Sequence, residues 1–296
     1  MKPMNHTFSK VLALTTLVMV ATAATAADAP AVSATGITHP ADLFGGLKRW
    51  HLTLPTSKDK QAFPADQIDQ PQLATYSSEY FKLNEDKTGV LFTSIMGGAT
   101  TSAGTAFART ELREHDAQGE KADWNCARDV RTMTIRQRIL KSPTHKPEMS
   151  VGQIHDAKSD NLEVFYKGPK SGANGTSDVG VMLAKFNGES ASVAPRLDDD
   201  YRIGDMMEVK VSTRDGVITV DYKNERSGKT SSASKPFTEI TGGCYFKAGN
   251  YAQACTKQNI YGVANPNCSK KTYSPELFEV DPAATAVLEI RALTLD

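Results

Sequence analysis

The chain has 296 residues, 40% of them hydrophobic, and its 34 Lys and Arg are balanced by 34 Asp and Glu. Neutrality excludes a globally basic nucleic-acid binder, so any anionic ligand must be held by a local cluster of cations. The length suits one large all-β domain as well as two small ones.

Residues 1–26 have the form of a secretory signal. Lys2 and Lys10 flank a basic start, residues 11–23 are apolar but short for a bilayer span, and Ala24-Thr25-Ala26 fits a small-x-small cleavage site. Without Lys2 and Lys10 the mature chain keeps 32 basic residues against 34 acidic ones, a net charge near −2. The expected location is the periplasm or the medium, with no membrane attachment after signal removal. Cys126, Cys244, Cys255 and Cys268 are even in number, which suits disulfides in an oxidising compartment, and no C-x-x-C pair suggests zinc. Four cysteines allow three full pairings. Cys255 and Cys268 bracket a polar loop, 256–267, that they could staple. Cys244 and Cys255 are poor partners if the segment between them is one straight strand, whose ends would stand roughly 35 Å apart.

Residues 27–39, rich in Ala with Pro30, read as a linker, and 40–296 as a single domain. Single helical turns are expected at 64–68 and 275–278, and long helical periodicity is missing. Residues 131–140 alternate around Met133, Ile135, Gln137 and Ile139; 162–167 are rich in β-branched and aromatic residues. Asp198-Asp199-Asp200 fits no calcium-loop spacing and reads as a solvated turn. Met207, Val209 and Val211 form an apolar face, Asp215-Gly216 turns the chain, and 217–222 return as the second arm of a hairpin. The Ser-rich stretch 228–234 reads as a loop tip, and 287–295 as a last strand. Many short strands at regular spacing mean an all-β sandwich or jelly roll.

Three strand-like segments carry the chemistry. In residues 245–253, alternation puts Tyr245, Lys247, Gly249, Tyr251 and Gln253 on one face and Phe246, Ala248, Asn250 and Ala252 on the other. The first face holds a base, two phenols, an amide and a gap, and a glycine inside a strand often marks close approach of a ligand. In residues 109–114, Arg109, Glu111 and Arg113 share a face, a pattern suited to carboxylates and equally to an exposed charged strand. In Gln153-Ile154-His155 the polar pair shares a face and Ile154 points into a core.

RTELRE, QIH and YFKAGNYAQ together, in this order, resemble the signature regions of the alginate lyases of polysaccharide lyase family 7. The resemblance covers roughly residues 40–296. It implies a β-jelly roll whose concave face carries a long cleft, and cleavage of the 1,4 linkages of alginate by β-elimination. The C5 proton leaves, the O4 glycosyl group departs, and a C4=C5 double bond remains on the new non-reducing end. Such a reaction needs the uronate carboxylate neutralised, a base at C5–H and an acid at O4. The resemblance assigns Arg109, Gln153 and His155 to the carboxylate and C5 region and Tyr251 to proton transfer. Arg113, Tyr245, Lys247 and Gln253 fall to neighbouring sugar subsites, and Glu111 to orienting an arginine. Two divisions of labour stay open: His155 as base with Tyr251 as acid, or Tyr251 in both roles. Within the family, isoleucine in the middle of QIH accompanies guluronate preference, which Ile154 implies here by an indirect effect.

The expectation is therefore a monomeric lyase acting on an anionic polysaccharide, with no metal, cofactor or nucleic-acid partner. A carbohydrate-binding protein on the same sandwich would not need a histidine paired with a tyrosine. A glycosidase would need two carboxylates across the cleft, and Glu111 is the sole acidic residue on the three faces.

Overall fold

A computed structural model describes residues 36–143, 146–169, 179–239, 241–270 and 281–296. The signal, most of the linker and the turn expected at 275–278 lie outside these residues. In chain order the strands are β1 Trp50–Thr53, β2 Gln67–Ile68, β3 Phe81–Leu83, β4 Val90–Ile95, β5 Thr110–Glu114, β6 Arg131–Lys141, β7 Glu148–His155 and β8 Asp160–Lys167. They continue with β9 Val179–Phe186, β10 Arg196–Arg202, β11 Met207–Arg214, β12 Val217–Asn224, β13 Thr230–Pro236, β14 Tyr245–Ala252 and β15 Thr285–Leu295.

The strands form two antiparallel sheets, the layered solution for chains that alternate apolar and polar residues. One has eight strands in the order β10-β9-β8-β7-β14-β5-β1-β2; the other has seven, β13-β12-β11-β6-β15-β4-β3. The neighbours β7, β14 and β5 come from three distant parts of the chain, which brings the three polar segments onto adjacent strands.

The core lies between the sheets. From β14 it takes Phe246, Ala248 and Ala252; from β7 Val151 and Ile154; from β5 Leu112, all essentially inaccessible to water. Each large apolar side chain so buried contributes about 1.5–3 kcal/mol. Asn250 also points inward, and its amide donates to the carbonyls of Phe92 (3.0 Å) and Ala286 (2.8 Å). A buried amide is tolerated because those bonds replace water, and here they tie one sheet to the other.

The hairpin at 215–216 forms as its sequence predicts: Arg214 pairs with Val217, and Asp215 and Gly216 take φ of 50° and 73°, the left-handed pair of a two-residue turn. Three expectations need correction. Residues 228–234 are no loop tip, because 230–236 form β13, the sheet-edge partner of β12. The aspartate triplet is no solvated turn: it lies in β10, where Asp198 is buried and accepts from the Tyr222 hydroxyl (3.0 Å) and the Asn224 amide (2.9 Å). Residues 64–68 form no helical turn; they run from a bend at Pro64 into β2.

The disulfides are Cys126–Cys244 and Cys255–Cys268. They fit an oxidising compartment. Among the described residues no helix is long and apolar enough to cross a membrane.

Candidate active site

Strand alternation and register set the site on the outer face of the eight-stranded sheet. Lys247 lies opposite Arg113 on one side and Gln153 on the other; Gly249 lies opposite Glu111, and Tyr245 opposite His155. The polar row continues across the sheet, since Gln153 faces Glu163 of β8 and Glu163 faces Lys185 of β9.

Glu111 is the hub. Its buried carboxylate accepts from Arg109 Nη1 at 2.9 Å and from the Gln153 amide in a very short contact, and Lys247 Nζ stands 3.5 Å away. Burial alone would raise the Glu111 pKa; Lys247 and then Arg109 outweigh it and hold the group ionised. Two buried cations thus share one buried anion. Arg109 Nε is buried and has no hydrogen-bond partner. Burial, partly offset by Glu111, brings the Lys247 ammonium down to about 8.

His155 is the second element. Its Nδ1 lies 2.6 Å from the Asp156 carbonyl oxygen. A carbonyl can only accept, so Nδ1 carries the proton and neutral His155 presents Nε2 as its lone-pair nitrogen. Burial first, and Lys247 next, lower its pKa, which keeps the ring neutral near pH 7. The phenol touching this histidine is that of Tyr245: its oxygen is 3.2 Å from Nδ1, and the rings stack with centroids 5.5 Å apart. Arg113 covers the same phenol ring at 3.8 Å.

Tyr251 lies farther along β14, opposite Ser150. The Arg109 guanidinium sits 3.6 Å from its ring centroid and Phe107 meets it edge-on at 6.1 Å. Ala106, Phe107, Cys255 and Cys268 form a small apolar cluster against which Tyr251 packs. Burial raises the Tyr251 pKa against the opposing pull of Arg109, so the phenol keeps its proton. Gln253 follows the strand; its backbone N–H donates to Glu148 O at 2.9 Å, and its side-chain Nε2 is buried without a partner.

Gly249 needs a different explanation from the one alternation suggests. Its φ is +142°, and a Cβ there would stand 2.6 Å from Thr110 O and 2.8 Å from the Glu111 Cα. The gap is taken by the backbone of β5. It lies at a bulge, where pairing with β7 shifts between Ala248 and Tyr251.

Sequence patterning misses Glu163, Lys185 and Phe107. Glu163 and Lys185 form a close ion pair in the same polar row. Alternation through residues 162–167, paired with the QIH strand, carries that signal.

A family model described as alginate lyase matches residues 43–275. Alginate lyase AlgAT5 of polysaccharide lyase family 7 is 31% identical, superposes with a TM-score of 0.66, and is covered over 99% of its length by 88% of this chain. The chain belongs to the alginate lyases of polysaccharide lyase family 7. The alginate lyase of a Corynebacterium species, 25% identical, gives the same TM-score over 87% of this chain and 97% of that one. An alginate lyase of Klebsiella pneumoniae is 37% identical over 83 residues, a match that spans 27% of this chain and 26% of that protein. The jelly-roll sandwich is thus the fold of the family. The family model takes in the three polar strands together with Glu163 and Lys185.

Proposed function

We propose that this protein cleaves alginate by β-elimination, with His155 as base and Tyr251 as acid. Arg109, Lys247 and Gln153 neutralise the uronate carboxylate. Of the Gln153 amide, one hydrogen is engaged by Glu111 and one is left for substrate. With the carboxylate charge balanced, C5–H becomes acidic enough for His155 Nε2 to remove it. The C5 electron pair forms the C4=C5 bond, the C4–O4 bond breaks, and O4 takes the phenolic proton of Tyr251. The imidazolium proton returns to the phenolate through water or the leaving product, which closes the cycle.

The observation that carries this reading is the 2.6 Å contact of His155 Nδ1 with the Asp156 carbonyl oxygen, which leaves Nε2 as the nitrogen that can take a proton. His155 is a neutral imidazole with Nδ1 fixed as donor, and Tyr251 is an un-ionised phenol. A tyrosine in both roles would have to start as phenolate, which its burial opposes. Separate base and acid suit elimination across opposite sides of the ring. Guluronate and mannuronate are C5 epimers, and guluronate offers C5–H and O4 in that anti relation. Guluronate-containing blocks are therefore the favoured substrate. Ile154, fully buried beneath the site, can act on this choice only through the position of β7. Arg113, Tyr245 and Gln253 hold adjacent sugars. We place the mature enzyme, a monomeric domain of residues 40–296, outside the cytoplasm after removal of residues 1–26.

Incubation with guluronate and mannuronate blocks, followed by ultraviolet absorbance of the new double bond, tests the reading. Faster absorbance growth on guluronate is expected. Reducing ends without absorbance would mean hydrolysis, and neither signal would mean a binding protein.

A further inference from the structure

At the β2 edge of the same sheet stands a second cluster, His51, Asp69 and His115, that the elimination chemistry does not use. Register explains the meeting. Leu52 pairs with Ile68 and His51 with Arg113, so Asp69, one residue past β2, and His115, one past β5, flank His51. One ligand atom from each residue lies within 4.8 Å of the other two. His51 Nδ1 is 3.5 Å from Asp69 Oδ1, and the imidazoles meet edge to face with centroids 4.6 Å apart.

We infer that His51, Asp69 and His115 form a binding site for a divalent transition-metal ion of the zinc type, with one coordination position open. Two imidazoles and a carboxylate are the donor set of three-ligand zinc sites, whose fourth position takes water or a substrate oxygen. Metal–ligand bonds of about 2.0–2.1 Å at tetrahedral angles put neighbouring donors roughly 3.3 Å apart. The His51–Asp69 separation already matches. No separation exceeds 4.8 Å, so closing on an ion takes at most about 1.5 Å per pair, and the Asp69 side chain, 61% exposed, is free to adjust.

One further observation separates a metal site from an ordinary ion pair. His115 Nε2 is buried without a hydrogen-bond partner in a residue only 8% exposed. Such an orphan is rare and calls for a partner. Arg113, Lys121 and Lys247 oppose a cation here, and Asp69 offsets part of that repulsion. An ion at this position would extend the positive row of Arg113 and Lys247 towards the sheet edge, with its open position able to take a carboxylate oxygen.

The test uses the mature protein, prepared without a histidine tag and stripped with a chelator. It is titrated with Co²⁺, read by its visible d–d absorption, and with Zn²⁺, read by calorimetry. One ion per chain is expected. Affinity should fall at least ~10-fold in both Asp69→Asn and His115→Gln, and stay unchanged in His155→Ala. Asp69→Asn alters an exposed side chain and so tests the site without disturbing the core. No saturable binding, or wild-type affinity in Asp69→Asn, overturns the proposal.

Discussion

The Arg109 guanidinium lies 3.6 Å above the ring of Tyr251 while its Nη1 holds Glu111 at 2.9 Å. One residue thereby links the carboxylate hub to the proposed acid. Only a planar, permanently charged fork can stack on a phenol and pair with a carboxylate at once. Tyr251→Phe keeps the ring, the stack and the fold but removes the transferable proton. It should lower kcat by about 10²-fold or more with little change in melting temperature. Arg109→Lys keeps the charge but loses the stack and should raise KM and lower kcat together. Steady-state absorbance assays beside thermal melts check both; a Tyr251→Phe enzyme of wild-type rate would remove Tyr251 from the chemistry.

Tyr245, rather than Tyr251, is the phenol in contact with His155. Its oxygen meets Nδ1, the protonated nitrogen, so it supports the ring's orientation and does not compete for Nε2. Tyr245→Phe should therefore cost less than Tyr251→Phe, about 10-fold or below. It should also shift the acid limb of the pH profile, because the phenol helps to hold the tautomer. Parallel kcat profiles of the two variants measure this. A larger loss in Tyr245→Phe would exchange the two roles.

The two faces of β14 are legible from residues 245–253 alone, because side chains alternate along it and three of its four inward residues, Phe246, Ala248 and Ala252, are apolar. The meaning of Gly249 is not, because the atoms that forbid a side chain belong to β5, over a hundred residues earlier. Glu163 and Lys185 escape notice for a similar reason: only the pairing of β8 with β7 and β9 puts them in the Gln153 row. Ser-rich composition predicts a loop at 228–234. A strand forms there because an edge position needs one pairing partner, and Ser231 Oγ adds a bond to Leu197 O at 2.7 Å. Asp198 hides in an acidic triplet whose other two members are exposed. Which aspartate turns inward depends on the hydroxyl of Tyr222, beyond reach of local pattern.

Gly249→Ala tests the close approach of β14 to β5. The new methyl would meet backbone atoms at 2.6 and 2.8 Å, which cannot swing aside as a side chain can. The left-handed φ adds strain of its own. The expected cost is roughly 2–4 kcal/mol, with activity lost as well because Glu111 lies directly opposite. Denaturant melts should show this. Wild-type stability with normal activity would mean that the strands can separate freely.

The proposed mechanism has a pH window with two different owners. Lys247 is charged below about 8 and neutral above it, so rising pH removes one of the cations that balance the uronate and weakens substrate binding. His155 must be neutral to act as base; its lowered pKa places the acid limb below the ordinary histidine value of 6.5. Activity should therefore peak between these limits. Lys247→Arg should move the alkaline limb upward, since a guanidinium stays charged there, and leave the acid limb in place. An alkaline limb unchanged in that variant would assign it to another group, with Tyr251 the first candidate.

The two disulfides should separate stability from activity. Cys126–Cys244 closes a span of 118 residues and joins the segment after Trp124 to the start of β14. Cys255–Cys268 closes only 13 and packs with Phe107 against Tyr251. Loop-closure entropy gives about 5 kcal/mol for the long loop and about 3 for the short one. Paired Cys→Ser changes at 126 and 244 should therefore lower the melting temperature more. The change at 255 and 268 should do more harm to kcat, because it loosens the wall that fixes the phenol while leaving Arg109, Gln153 and His155 in place. KM should move less in that variant, since the polar contacts of the carboxylate hub run to Arg109, Gln153 and Lys247 and not to the 256–267 loop. Kinetics and melts of the two double variants decide it. Equal loss of kcat in both would mean that Tyr251 is held by Arg109 alone.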